Sequence, residues 1–258
     1  MDMLSPDMIA DRLTFLRGLI AAGSLVAGLP RLHRPSSGHK GGLSAGDKAI
    51  LHAAQAAEAL AVTTYDHVIL VAPLFARLFP QDQAYMQAAR QEEMAHYLLM
   101  RKLTGQPTPY QVFYYPKGMF TSGPVTLNTL VALEEAFIAA YLVGVRDFSS
   151  PDLRVAAARI LGVESDHRTM VRVLAPGLDP QDGGPLRTVT GFKSGPEKVN
   201  PSSNNTYERT LGWTRIEDAV AALRPFVDKR AAATAGFSTN GYTFREFTPS
   251  LPTPLGGF

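Results

Sequence analysis

Two short motifs of the form Glu-x-x-His constrain the fold of this chain more than any other feature. The first consists of Glu93 and His96, and the second of Glu164 and His167. On an α-helix this spacing places both side chains on one face, adjacent along the helix axis. Each motif can therefore offer one carboxylate and one imidazole to a metal ion.

Two further glutamates complete the pattern. Glu58 and Glu134 lie in apolar, helix-periodic segments that precede the two motifs. Four-helix bundles that hold two metal ions use this order, with one glutamate from each of two helices and one motif from each of the others. The candidate metal ligands are Glu58, Glu93, His96, Glu134, Glu164 and His167. Of these, Glu93 and Glu164 are expected to bridge the ions, with the other two glutamates terminal.

The first two predicted helices follow from apolar spacing and from their end signals. Ser44 opens the first helix, with Asp47 in capping-box spacing, and its apolar stripe continues to Phe75. Pro80 separates it from the second helix, which Gly105 ends. The joining turn is short, so these two helices should be antiparallel.

The connection after Gly105 is longer than ordinary loops, and the third helix starts near Thr126. A crossover of that length can carry the chain along the whole bundle and leave helices 2 and 3 parallel. The fourth helix begins at Ser150 and Pro151 and ends near Pro176. We predict an all-α, ferritin-like four-helix bundle with a long crossover between helices 2 and 3.

The chain divides into three predicted parts. Residues 1–43 form a signal-like or anchoring segment and a linker, and residues 44–177 form the bundle. Residues 178–258 form an irregular C-terminal extension with one further helix near 214–230, interrupted at Pro225.

The N-terminal part bears on location. Residues 18–29 are an apolar run that is short for a bilayer span and suitable for the core of a signal peptide. Residues 12–17 resemble a twin-arginine export signal in which Leu13 replaces the second arginine. We expect a periplasmic or extracytoplasmic protein. The alternatives are a cytoplasmic protein whose N-terminal helix packs on the bundle, or weak membrane association through this segment.

Composition limits the chemistry of the site. The chain has no cysteine, which excludes disulfides, thiolate ligands and iron–sulfur clusters. A net charge of +2 without a lysine or arginine block argues against nucleic acid as a partner. Four glutamates can neutralise two divalent ions, and oxygen and imidazole ligands suit iron and manganese. We expect two iron or two manganese ions, with oxygen or peroxide as the reaction partner. The sequence leaves the oligomeric state open, and a homo-oligomer is one alternative.

Two neighbouring tyrosines have more than one interpretation. Tyr65 and Tyr141 each follow a candidate glutamate by seven residues, which suits a hydrogen bond to a ligating carboxylate, a redox shield or simple core packing. The same spacing favours Glu134 over the adjacent Glu135.

Other charged residues are candidate partners for the ligand side chains. Asp66 and Asp166 are candidate acceptors for the second nitrogen of each imidazole. Without a metal, the glutamates would have to pair with arginines such as Arg90, Arg159 or Arg168.

The chain resembles the exported ferritin-like proteins of bacteria, which are similar to the desiccation-related proteins of plants. The resemblance covers residues 44–245 and rests on the ligand order and on residues 91–96 and 161–165, with weaker matches at 207–210 and 236–241. It implies a ferritin-like bundle, often exported and linked to dehydration or oxidative stress.

These observations support an oxidoreductase with ferroxidase, catalase-like or peroxidase activity. The competing hypothesis is a non-catalytic, stress-protective bundle that acts as a scaffold or binding module through its long C-terminal part. An iron-storage cage is a third hypothesis, which the extensions disfavour because they would have to fit a closed shell.

Overall fold

The computed structural model describes residues 43–174 and 211–250. Its elements are α1 (Ala45–Val71), α2 (Pro73–Ala76), α3 (Pro80–Thr104), β1 (Val112–Phe113), α4 (Gly123–Asp147), α5 (Pro151–Leu174), α6 (Ile216–Val227), α7 (Lys229–Thr234) and β2 (Tyr242–Thr243). The predicted all-α class is confirmed. The signal-like segment, the end of the fourth helix near Pro176 and residues 178–206 of the C-terminal extension lie outside the described residues.

The first helix begins as predicted and ends earlier. The Ser44 hydroxyl accepts a 3.0 Å hydrogen bond from the Asp47 N–H, and the Asp47 carboxylate accepts one of 3.3 Å from the Ser44 N–H. The expected continuation of this helix to Phe75 is wrong. Pro73 disfavours helical backbone at Ala72, which is extended with ψ 124°. The chain then forms the separate one-turn helix α2.

The long crossover joins α3 to α4. Gly105 adopts the left-handed conformation with φ +75° and ends α3, as its position predicts. Helix α4 begins at Gly123, three residues before the predicted start at Thr126, because Pro124 is favourable in the first turn of a helix. In the bundle, α1 packs along α3 and α4 packs along α5.

The C-terminal segment contains two helices where one was predicted. Pro225 lies inside α6, and the break comes at Asp228, whose backbone is extended. The Asp228 carboxylate accepts hydrogen bonds from the backbone N–H groups of Arg230 and Ala231, which starts α7. The prediction of a single helix interrupted at the proline is therefore wrong.

The C-terminal segment is also tied to the crossover. Strands β1 and β2 pair antiparallel, with Phe113 opposite Tyr242. Phe226, Phe237 and Phe244 are buried in the same apolar core as side chains of the bundle. The segment is thus part of one core with the bundle.

Helix α4 is the most apolar of the long helices. By length and composition alone it could cross a membrane, but 78% of its most apolar window is buried inside the fold. A helix that is apolar all round is expected at the centre of a bundle. This helix carries Glu134 into the interior.

Candidate metal centre

The structure brings all six predicted ligands together between the four long helices. Glu58 lies on α1, Glu93 and His96 on α3, Glu134 on α4, and Glu164 and His167 on α5. None of these side chains is more than 2% exposed. They form two overlapping groups whose ligand atoms lie within 4.8 Å of one another: Glu58, Glu93, His96 and Glu164, and Glu93, Glu134, Glu164 and His167. Glu134 belongs to the cluster, whereas the adjacent Glu135 does not.

Glu93 and Glu164 lie between the two histidines. The two oxygens of Glu93 are 2.9 Å from Nδ1 of His167 and 3.6 Å from Nδ1 of His96. The two oxygens of Glu164 are 3.2 Å from Nδ1 of His96 and 3.4 Å from Nδ1 of His167. Each carboxylate therefore directs one oxygen toward each imidazole, which is the arrangement that a bridging ligand requires.

The two tyrosines hold the other two glutamates. The Tyr65 hydroxyl on α1 donates a 2.6 Å hydrogen bond to Oε1 of Glu134 on α4. The Tyr141 hydroxyl on α4 donates a short hydrogen bond to Oε1 of Glu58 on α1. Among the described residues, the second oxygen of each glutamate has no hydrogen-bond partner. Each tyrosine thus fixes one carboxylate oxygen and leaves the other available to a ligand.

His167 is held by a residue that the sequence analysis did not single out. Its Nε2 lies 2.8 Å from Oε2 of Glu92, whose side chain is 33% exposed. Asp66, one of the two expected acceptors, instead pairs with Arg90 at 2.7 Å, and the other, Asp166, is exposed. The sequence signal that could have indicated this contact is the position of Glu92, directly before the first motif on the same helix.

Three carboxyl groups of the cluster, those of Glu58, Glu93 and Glu134, have shifted pKa values. Burial and the charge of Glu164 raise the pKa of Glu58 well above its usual value. Burial, together with the charges of Glu93 and Glu164, does the same to the pKa of Glu134. Burial opposes ionisation of Glu93 as well, but contacts with the two histidines lower its pKa. The cluster therefore favours positive charge at its centre.

The pKa values of the two imidazoles are shifted as well. Burial alone would lower their pKa, yet the surrounding carboxylates raise the pKa of both His96 and His167 well above the usual value. Protons on these rings supply part of the positive charge that the glutamates need. A metal ion would supply it in their place, since imidazole binds metals in its neutral form.

The donor set fits metal ions. Seven buried nitrogen and oxygen atoms of these six residues have no hydrogen-bond partner among the described residues. Buried polar atoms are normally paired, and each unpaired one costs about 1–3 kcal/mol. Carboxylate and imidazole ligands in this combination suit iron and manganese. Both the positions of the donor atoms and their chemistry are therefore suited to metal ions.

The fold and the site define a class of protein: a four-helix bundle with a buried carboxylate–histidine cluster suited to metal ions. The family model of the ferritin-like domain matches residues 46–176, just over half of the chain. The chain therefore belongs to the ferritin-like domain family. Searches of the curated proteins and of the solved structures found no significant match.

Proposed function

We propose that this protein is an oxidoreductase that holds two iron or two manganese ions and reacts with oxygen or peroxide. The observation that carries the proposal is the placement of Glu93 and Glu164. Each has one oxygen directed toward His96 and the other toward His167. Two ions could share these carboxylates, with Glu58 and Glu134 as the terminal ligands.

Charge supports a pair of ions rather than one. When fully ionised, the four glutamates carry four negative charges, which equal the charge of two divalent ions. A buried cluster of carboxylates without compensating charge would be strongly unfavourable. Each half of the cluster also contains one imidazole, so the two metal positions have similar ligand sets.

The residues of the chain would prepare the site before any reaction. Bound metal supplies the redox chemistry. The tyrosines Tyr65 and Tyr141 keep the terminal carboxylates in place by hydrogen bonds, and burial of all six ligands excludes bulk water. The protein thus contributes charge, orientation and a dry interior.

We also propose that the protein is exported and acts in oxidative or desiccation stress. The support is the apolar segment at 18–29 and the resemblance of residues 91–96 and 161–165 to exported ferritin-like proteins. Fractionation of producing cells tests the location, and survival of a deletion strain after peroxide treatment or drying tests the role. Recovery of the chain only in the cytoplasm, with normal survival, would contradict this part of the proposal.

Metal analysis of protein purified without added metal tests the site. Wild type should contain, or take up on reconstitution, about two iron or manganese ions per chain. The Glu93→Ala/Glu164→Ala variant should lose both. Glu58→Gln, which preserves side-chain volume, should lose at least one ion. Glu135→Ala is the matched control because Glu135 neighbours a candidate ligand without joining either group, and it should keep both ions.

Oxygen and peroxide consumption then tests the reaction. Turnover in the loaded wild type and in Glu135→Ala, but not in Glu93→Ala/Glu164→Ala, is expected. A wild type that refuses both metals would show that the carboxylates are structural. A loaded protein without turnover would favour the non-catalytic scaffold instead.

A further inference from the structure

The two halves of the cluster differ in how the histidines are supported. In the first motif Glu92 directly precedes Glu93, whereas in the second Val163 precedes Glu164. The carboxylate that precedes the first motif reaches across to the histidine of the second, His167. Val163 offers no such group to His96, so the two halves of the cluster differ at this position.

The support of His167 is well defined. Its Nε2 faces Oε2 of Glu92 at 2.8 Å, and the ring of Tyr65 packs edge-on against it at 5.9 Å between centroids. With the hydrogen held on Nε2, the lone pair of Nδ1 points at the cluster. A carboxylate in this position orients the imidazole and makes it a stronger ligand.

His96 has no such support among the residues that the structure describes. The ring is 1% exposed, and among the described residues Nε2 has no hydrogen-bond partner. Two other features match between the halves: each terminal glutamate is held by one tyrosine, and Glu93 and Glu164 are common to both groups. Histidine support is therefore the clearest difference between the two metal positions.

We propose that Glu92 makes the two metal positions unequal, so that the position at His167 binds its ion more tightly and fills first. This inference rests on the proposed metal pair and deepens it. Glu92 is a positioning residue, since it acts through the imidazole rather than on the ion. Loss of such a partner typically lowers metal affinity 10–100-fold.

Titration of the metal-free, full-length protein with cobalt(II), followed by its visible absorption, tests the proposal. Wild type should bind two ions in two resolved steps. Glu92→Ala should weaken the tighter step about 10–100-fold, and Glu92→Gln, which keeps a hydrogen-bond acceptor, should restore part of the loss. Asp166→Asn is the matched control because it removes an exposed negative charge beside His167 without removing its partner. It should leave both steps unchanged.

Single-histidine variants assign the effect to one position. In a His96→Gln background the remaining His167 position should still respond to Glu92→Ala. In a His167→Gln background the same substitution should have no effect. Circular dichroism checks that each variant is folded.

Three results would overturn the inference: equal affinities in wild type, equal weakening of both steps by Glu92→Ala, or an effect that persists without His167. The proposed metal pair would survive each of them. Absence of any cobalt binding would contradict the metal pair itself.

Discussion

Tyr65 on α1 donates a 2.6 Å hydrogen bond to Glu134 on α4. In turn, the Tyr141 hydroxyl on α4 donates a hydrogen bond to Glu58 on α1. The two long helices of the bundle that lack a Glu-x-x-His motif are therefore joined by two buried hydrogen bonds. The position of each terminal glutamate depends on a residue of the other helix.

Tyr65→Phe should reveal this dependence. The substitution keeps the ring but leaves one oxygen of Glu134 unpaired in the interior, which should lower the free energy of unfolding by about 1–3 kcal/mol. Urea unfolding of the metal-free protein measures it. Tyr85→Phe is the control, since Tyr85 is 44% exposed, and it should change stability by less than about 0.5 kcal/mol. Equal stability of the two variants would show that the buried hydrogen bond contributes nothing.

Removal of metal should destabilise the protein if the proposed site is correct. An ion that binds only the folded chain adds about 2.7 kcal/mol at a free concentration one hundred times its Kd. Unfolding with excess manganese(II) and with a chelator measures the difference. Glu58→Gln should show a smaller difference, and Glu135→Ala should match wild type. A chelator without effect on manganese-treated wild type would argue against the site.

Asp47 should make stability depend on acid pH. Its carboxylate accepts a 2.8 Å hydrogen bond from the Ser149 N–H and a short one from the Ser149 hydroxyl, and it also caps α1 through Ser44. Burial opposes ionisation, but these hydrogen bonds lower the pKa of Asp47 below 3.8. The stabilisation is therefore present above pH 3.8 and is lost as pH falls through the lowered pKa.

Asp47→Ala tests this contribution. It should cost about 2–4 kcal/mol near neutral pH, combining the loss of a helix cap with the loss of hydrogen bonds to a charged group. The difference from wild type should shrink as the pH falls through the lowered pKa of Asp47. Asp152→Ala, at an exposed position in the first turn of α5, is the control. A difference that stays constant from neutral to acid pH would contradict the assignment to the ionised carboxylate.

Glu246 should hold the segment after β2 against α3. Its carboxylate accepts a 2.7 Å hydrogen bond from the buried Tyr97 hydroxyl and a short one from Arg101. The bond to the arginine is exposed and contributes little, so the tyrosine should dominate. Glu246→Ala should cost about 1–2 kcal/mol and speed amide hydrogen exchange in residues 244–248. Arg245→Ala, at the exposed neighbouring position, should leave exchange unchanged.

Features that depend on neighbouring residues could be predicted from the sequence. The Ser44–Asp47 capping box and the left-handed Gly105 both occur where their local patterns place them. The end of α1 was mispredicted even though its cause is local, because the apolar stripe continues past Pro73. Periodicity there was the weaker signal, since a proline restricts the backbone of the residue before it.

Two contacts between distant parts of the chain were missed. The pairing of β1 with β2 places Phe113 opposite Tyr242. Neither two-residue strand has a sequence pattern that predicts this pairing. The contact between Glu92 and His167 likewise links two helices far apart in sequence. A two-residue strand or a single carboxylate carries too little periodic information to indicate its partner.

By itself, the sequence determined which residues could form the centre and on which helices they lie. Helix geometry fixes the direction of each side chain relative to its own axis, so the order of the Glu-x-x-His motifs and of Glu58 and Glu134 was sufficient. Only the tertiary structure decided the partners: Tyr65 with Glu134, Tyr141 with Glu58, and Glu92 with His167. Those contacts depend on the rotation and axial offset of one helix against another, which close packing of the whole core sets.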